Sequence, residues 1–292
     1  ALAIVLTSGN NKGLIKSIAL GCSLVSSVLA IYLAILFVPS DGLQFVQKYA
    51  WIPSIKVDYF VGIDGLNMLL VLLVAILSPI FVLASWKIDE KAKTYFSLLS
   101  VQTTALYGAF TALNFFHWFI FWEAALVPAF FLIKLFGGEG RHKAAISFFI
   151  FTVLGSVAML LGVLLLYLNL GTFDFIELRQ LAADGAIQEK LGGLYPIIFI
   201  AVMLGLWVKV PLFPLHPWQA PAYAEAPVPV SMILTGVMSK MGVYGFLRLV
   251  VPVFPAAMRE YADLLLTFAL VTIIWGAFLA LRQTDIKRVL AY

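Results

Sequence analysis

GLWVKVPLFPLHPWQAPAYAEAPVPVSMILTGVMSKMGVYGFLR, residues 205–248, contains two apolar runs joined by a proline-rich connection, and each run carries a lysine. Lys209 lies near the end of VMLGLWVKV, and Lys240 sits well inside SMILTGVMSKMGVYGFL. A third charge, Glu123, interrupts HWFIFWEAALVPAFFLI further upstream. Apolar runs of this length are expected to cross a membrane, where a charge at the bilayer centre costs about 2.5–3.5 kcal/mol even on the lenient insertion scale. Three such charges, unpaired and additive, would cost about 8–10 kcal/mol, comparable to the stability of a whole domain. They are therefore expected to face the bundle interior and to meet partners or water.

The rest of the chain supports the membrane reading. Of 292 residues, 63% are hydrophobic and 12% are charged, against about 25% charged in soluble domains. The mean hydropathy of +1.02 leaves too little polar surface to cover a soluble globule. The net charge of +4 then reports loop orientation rather than a nucleic-acid partner. One cysteine, Cys22, excludes an internal disulfide framework or a thiolate-held cluster on this chain alone. His117, His142 and His216 are scattered, and no HExxH, CxxC or GxGxxG motif accompanies them. No cofactor or metal is expected on the chain itself.

A spanning helix needs about 20 mostly apolar residues. That length predicts complete spans near 14–38, 66–86, 95–113, 115–136, 144–168, 195–216, 227–250 and 261–281. The connection 39–65, with Pro39, Asp41, Gly42, Pro53 and Asp58, reads as a loop. So does 169–194, in which Phe173–Leu181 is expected to form a short amphipathic surface helix. The chain starts at Ala1 rather than methionine. Ala1–Leu6 and Ile286–Tyr292 are expected to be the end of one helix and the start of another. One set of alternate connections holds Lys12, Lys16, Lys87, Lys91, Lys93, Lys134, Arg141, Lys143, Arg282, Lys287 and Arg288, and is expected to be cytoplasmic. The other holds Lys48, Lys56, Arg179, Lys190, Arg248 and Arg259.

Each buried charge also has a bland reading. Lys209 could snorkel to a nearby surface, and Glu123 could simply hydrogen-bond one helix to another. Lys240 is hardest to explain that way, because it is far from both ends of its run. Pro211, Pro214 and Pro217 follow Lys209 closely. Proline removes a backbone donor, and broken helices at ion sites are a recurring transporter device. A helix break is therefore expected near Pro211–Pro214; the bland alternative is a helix that merely ends there. Pro221, Pro227 and Pro229 around Glu225 read as a tight reversal into the next span.

These residues resemble the antiporter-like subunits of respiratory complex I, closest to the M-type branch (the mitochondrial fourth ND subunit), and the related subunits of multisubunit cation/proton antiporters. The 205–248 block is similar to the family's lysine, prolines, His-x-Trp, acidic-Ala-Pro turn and K-x-G-x-Y-G helix. VGIDGLN at 61–67, FWEAALVP at 121–128 and RQTDIKRVLAY at 282–292 resemble three further family patterns. QAPAYAEAP at 219–227 departs from the family's usual L-P-D-A-H-type start, which bears on the branch rather than on the superfamily. The resemblance implies an all-α polytopic transmembrane bundle with inverted five-helix repeats, truncated here at both ends. Residues 1–94 would hold the end of the first helix and helices two and three. Residues 95–250 would hold the first repeat, and 251–292 the start of the second.

The resemblance further implies a proton relay through Glu123, Lys209 and Lys240, with His216 at the cytoplasmic entry. Burial loosens a lysine's hold on its proton, and a nearby carboxylate tightens it, so a Glu–Lys pair can load and unload. Glu123 and Lys209 are accordingly expected to face each other within direct or one-water reach, and Lys240 is expected on the interior axis. The energy would come from NADH:quinone electron transfer in partner membrane and redox subunits carrying NADH, FMN, Fe–S clusters and quinone. The expected location is a bacterial inner (cytoplasmic) membrane, with lipid, protons and other complex I subunits as partners and no nucleic acid. Three alternatives stand beside this reading. One is a subunit of a Na⁺/H⁺ antiporter or membrane-bound hydrogenase of the same fold. Another is an intramembrane enzyme using His117 and Glu123. The last is a passive scaffold, against which the three buried charges argue.

Overall fold

The computed structural model describes residues 1–40 and 42–292; Asp41, placed in a loop by the sequence, lies outside them. The described chain is a helix bundle with one antiparallel hairpin at an end. Lys12–Leu36, Phe115–Phe136, Arg141–Leu170, Val228–Val253 and Ala262–Leu281 are long and apolar enough to cross a membrane. Met68–Ala84 and Leu194–Lys209 are apolar but shorter. Ala92–Thr111 has spanning length but carries Gln102, Thr103 and Thr104. These helices stand where the predicted spans lie. Outward-facing Leu266, Ile273 and Phe278 are more than 60% exposed on a helix without a buried residue, a surface suited to lipid rather than water. The protein is an integral membrane protein.

The predicted loop at 39–65 is corrected. Gln44–Ile52 and Val57–Ile63 pair antiparallel, with Lys48 opposite Phe60 and Tyr49 opposite Tyr59. Their aromatic and β-branched content favours a pleated, half-buried surface, which a criterion of 20 apolar residues passes over. Val57, Phe60 and Ile63 pack inward, and the Phe60 carbonyl accepts the Leu113 amide at 2.9 Å. Lys48 ties the hairpin to the next connection, with Asp174 at 2.7 Å and Asp58 at 3.4 Å. The Asp174 hydrogen bond outweighs the cost of burial and holds Lys48 protonated above its ordinary range. In 169–194 the helix begins at Phe175 rather than Phe173. Asp174 is its cap, accepting the Ile176 and Glu177 amides at 2.8 and 3.3 Å. A second short helix, Ala186–Leu191, comes next.

Two spanning helices depart from regular geometry close to the charges they carry. Phe115–Phe136 is interrupted at Ala125, immediately after Glu123. Pro128 lacks the amide that would bond the Ala124 carbonyl. Val228–Val253 is likewise irregular: π turns at Leu234–Met238 and Phe246–Val250 bracket the α-helical Ser239–Gly245. π turns occur mostly as single-turn bulges, frequently at functional sites.

Glycines allow the helices around Lys209 to approach closely. A Cβ on Gly205 would stand 2.5 Å from Met159 Cβ and 2.8 Å from the Gly155 carbonyl oxygen. Small residues permit such backbone approach between membrane helices. Gly205→Ala is therefore expected to destabilise the bundle by about 1–3 kcal/mol, read as a lower Tm of the detergent-purified protein. An unchanged Tm would mean that Leu194–Lys209 and Arg141–Leu170 separate without cost.

Candidate functional site

Leu194–Lys209 stops at its lysine. Residues 210–218 are non-helical and contain the cis Phe213–Pro214 bond, after which Gln219–Glu225 resumes as helix. The expected break is present, and the helix ends short of the predicted 216. Sixteen residues give a helix of about 24 Å, short of a hydrocarbon core of about 30 Å. Lys209 thus ends a helix too short to span by itself. Its side chain does not snorkel: the residue is 4% exposed, and Nζ lies over the Trp122 ring, 4.9 Å from the centroid. Gly242 lets the Val228–Val253 helix close on this point, since a Cβ there would stand 2.7 Å from Val210 Cγ2.

Glu123 comes directly after Trp122 in the Phe115–Ala124 helix. The expected pairing is direct or through one water. No ion pair within 4.0 Å joins Glu123 to Lys209 among the described residues. Glu123 Oε1 is buried without a hydrogen-bond partner. The Trp122 ring, not a carboxylate, is what lies over the Lys209 ammonium.

Lys240, expected on the interior axis, is exposed among the described residues. Nζ donates to the Thr235 carbonyl at 2.6 Å and to Ser239 Oγ at 3.3 Å. The cause is the helix face. Val237, Met241 and Tyr244 point inward, while Val243, Leu247 and Val251 share the outward side with Lys240. His216 is half-buried in the non-helical segment, packed on Phe213 with ring centroids 5.7 Å apart, and its Nδ1 is unpartnered. It stands beside the break, as expected, and not in contact with Lys240. His117 sits among Tyr59, Trp51 and Phe121 at 4.7, 6.1 and 5.1 Å. It is an aromatic-box histidine rather than half of a catalytic pair. No group of three or more metal-binding side chains occurs among the described residues.

Two polar centres were not predicted as sites. Arg248, counted from the sequence among surface charges, is buried. It forks onto Asp64, with Nη1–Oδ2 at 2.6 Å and Nη2–Oδ1 at 2.8 Å. Its Nε donates to Tyr244 Oη at 3.1 Å, and Tyr244 donates to the Phe110 carbonyl at 3.2 Å. The only sequence signal was an acid at a helix entry and an arginine four residues after a tyrosine. The second centre is Glu225, in the predicted reversal. Its carboxylate accepts the Gly140 amide at 2.9 Å, at the N-terminus of the Arg141–Leu170 helix, where a negative charge is favoured. Its carbonyl accepts the Gly138 amide at 2.9 Å. Lys287 Nζ donates to the Ala224 and Ala226 carbonyls at 2.6 and 2.7 Å.

The chain matches the family described as NADH:quinone oxidoreductase/Mrp antiporter, TM, over residues 112–292. It is 34% identical over 284 residues to NADH-quinone oxidoreductase subunit M of Rhodobacter capsulatus, covering 95% of this chain and 55% of the relative. It is 37% identical over 288 residues to F(420)H(2) dehydrogenase subunit M of Methanosarcina mazei, covering 95% and 58%. A chain of respiratory complex I from Thermus thermophilus with bound NADH superposes with a TM-score of 0.82 at 29% identity, covering 95% and 57%. The chain thus spans a little over half the length of the relatives it matches.

Proposed function

This chain belongs to the NADH:quinone oxidoreductase/Mrp antiporter transmembrane family, and we propose that it translocates protons as part of a membrane subunit of an NADH:quinone oxidoreductase. Lys209 carries the reading. A cation that is 4% exposed, placed at a helix break and held by a ring face rather than by a carboxylate, is costly as structure and useful as a proton carrier. Glu123, buried and without a hydrogen-bond partner at Oε1, sets how tightly Lys209 holds its proton, with no ion pair within 4.0 Å to lock the two together. His216 stands at the mouth of the break and delivers protons from the cytoplasmic side. Lys240 receives them and faces out of the described bundle. The redox cofactors, NADH, FMN, Fe–S clusters and quinone, belong to partner subunits, and the driving force reaches this chain through conformational and electrostatic coupling in the bacterial inner membrane.

Glu123→Gln tests this in the intact membrane complex. A unit charge in the same interface but beyond contact is worth about 2 kcal/mol at an effective dielectric near 20, a factor of about 30 in proton affinity. Proton uptake into vesicles energised by NADH is expected to fall about tenfold or more while the complex stays assembled. Unchanged uptake would remove Glu123 from the relay. Na⁺-dependent uptake in place of proton uptake would favour a cation antiporter, which the family description also names.

A further inference from the structure

Between Lys209 and the Val228–Val253 helix lies a small gap of about 10 Å³. Its wall is mostly apolar, with Phe148, Trp218 and Met238, but three polar side chains reach it: Lys209, Tyr223 and Ser239. A cavity of about 10–15 Å³ is the smallest that admits a water, and the water needs two to four polar partners. This gap has the size and the partners for one. Ser239 also belongs to a second group. Its Oγ lies 3.3 Å from Lys240 Nζ, and both the Ser239 hydroxyl and the Lys240 ammonium donate to the Thr235 carbonyl, at 2.8 and 2.6 Å. Ser239 thus lines the Lys209 gap, and its hydroxyl accepts from Lys240.

We propose that Ser239 is the bridging hydroxyl between Lys209 and Lys240, passing a proton from a single water in the gap to the outward-facing lysine. This rests on the relay reading and names its middle member. The step balances without any further reagent. The Lys209 ammonium gives its proton to the gap water. That water protonates the Ser239 oxygen from one side as the serine's own proton leaves toward a neutral Lys240 on the other. No covalent bond between heavy atoms changes. The serine must first release the Thr235 carbonyl, which a single χ1 rotation achieves. Thr235 lies in the π turn Leu234–Met238, and its carbonyl already holds side-chain donors at membrane depth. Direct passage from Lys209 to Lys240 is disfavoured because one is buried and the other exposed on the outer face of the same helix interface.

Threonine and valine have the same shape and differ by the hydroxyl, so Ser239→Thr and Ser239→Val separate chemistry from packing. Both are made in the intact complex containing the full-length chain, beside Lys209→Met. Proton uptake per NADH oxidised and complex assembly are measured together. Ser239→Thr is expected to pump normally. Ser239→Val is expected to lose about tenfold, less than the 10²–10⁴ of a group that itself takes the proton in a general acid–base step, since water can partly substitute. Equal uptake by the two variants, normalised to assembled complex, overturns the bridge. If Lys209→Met blocks pumping while Ser239→Val does not, only the bridge fails. If Lys209→Met pumps normally, the relay itself fails.

Discussion

Lys209→Met is expected to reduce NADH-driven proton uptake by about 100-fold or more, the lower bound for losing a group that carries the proton in an acid–base step, without reducing the amount of assembled complex. Methionine matches the lysine's length and leaves Trp122 an apolar neighbour in place of a cation 4.9 Å from its ring. Replacing an ion in a buried site by a well-packed apolar residue is often neutral or stabilising. Activity and stability should therefore move in different directions. Lys209→Arg sharpens the test. Arginine keeps the positive charge but does not release a proton in proteins. If Lys209 acts only as a fixed charge, the arginine variant should pump. If it carries the proton, the arginine variant should be as defective as methionine. Normal pumping by Lys209→Arg would sink the carrier role, and loss of assembly in both variants would make Lys209 a structural anchor.

The same physical quantities decided what the sequence disclosed. Span length is a one-dimensional property, and a helix stands in each of the eight predicted places, although Leu194–Lys209 ends short of its predicted span. Lys209 and Glu123 were legible because an apolar run makes any charge conspicuous. For Lys240 the sequence shows depth only, and depth along a helix does not fix direction around it. Val237, Met241 and Tyr244 on the inner side are as apolar as Val243, Leu247 and Val251 on the outer side, so no pattern separates the faces. Each π turn also adds one residue and rotates the helix beyond it by about 100° relative to a regular helix. The hairpin was missed because Gln44–Ile52 and Val57–Ile63 are each shorter than a span and were set aside with the loops. The Asp64–Arg248 pair was missed because an arginine near a helix end ordinarily marks the membrane surface. Only the close approach of the two chain segments turns it inward.

Arg248→Met is expected to destabilise the protein by about 3–5 kcal/mol, the cost of leaving one member of a buried ion pair uncompensated. Side-chain exposure is 9% for Arg248 and 21% for Asp64, so solvent screens the pair weakly. The loss would extend beyond one contact. Asp64 also accepts the Leu66 and Asn67 amides at 3.0 and 3.2 Å, and Asn67 donates to the Gly62 and Phe110 carbonyls at 2.9 and 3.0 Å. The hairpin, the entry to Met68–Ala84, the end of Ala92–Thr111 and the π turn at Phe246–Val250 thus meet at one carboxylate. Asp64→Asn combined with Arg248→Met should recover much of the loss, because neither charge is then stranded. The pH dependence comes from Asp64. Burial opposes its ionisation, but the Arg248 hydrogen bonds and charge prevail and hold the carboxyl below the usual carboxylate range. A carboxyl with a depressed folded pKa contributes stability that is full above its unfolded value, about 3.9, and disappears as pH falls through the folded value. The gap in Tm between the unsubstituted protein and Arg248→Met should therefore be constant at neutral pH and above, narrow on acidification first as the stranded Asp64 carboxyl of the variant takes up a proton, and vanish only below about pH 4, where the native pair is also lost. A gap that widened on acidification would contradict the pairing, and the absence of any gap at neutral pH would show that Asp64 finds another partner when Arg248 is gone.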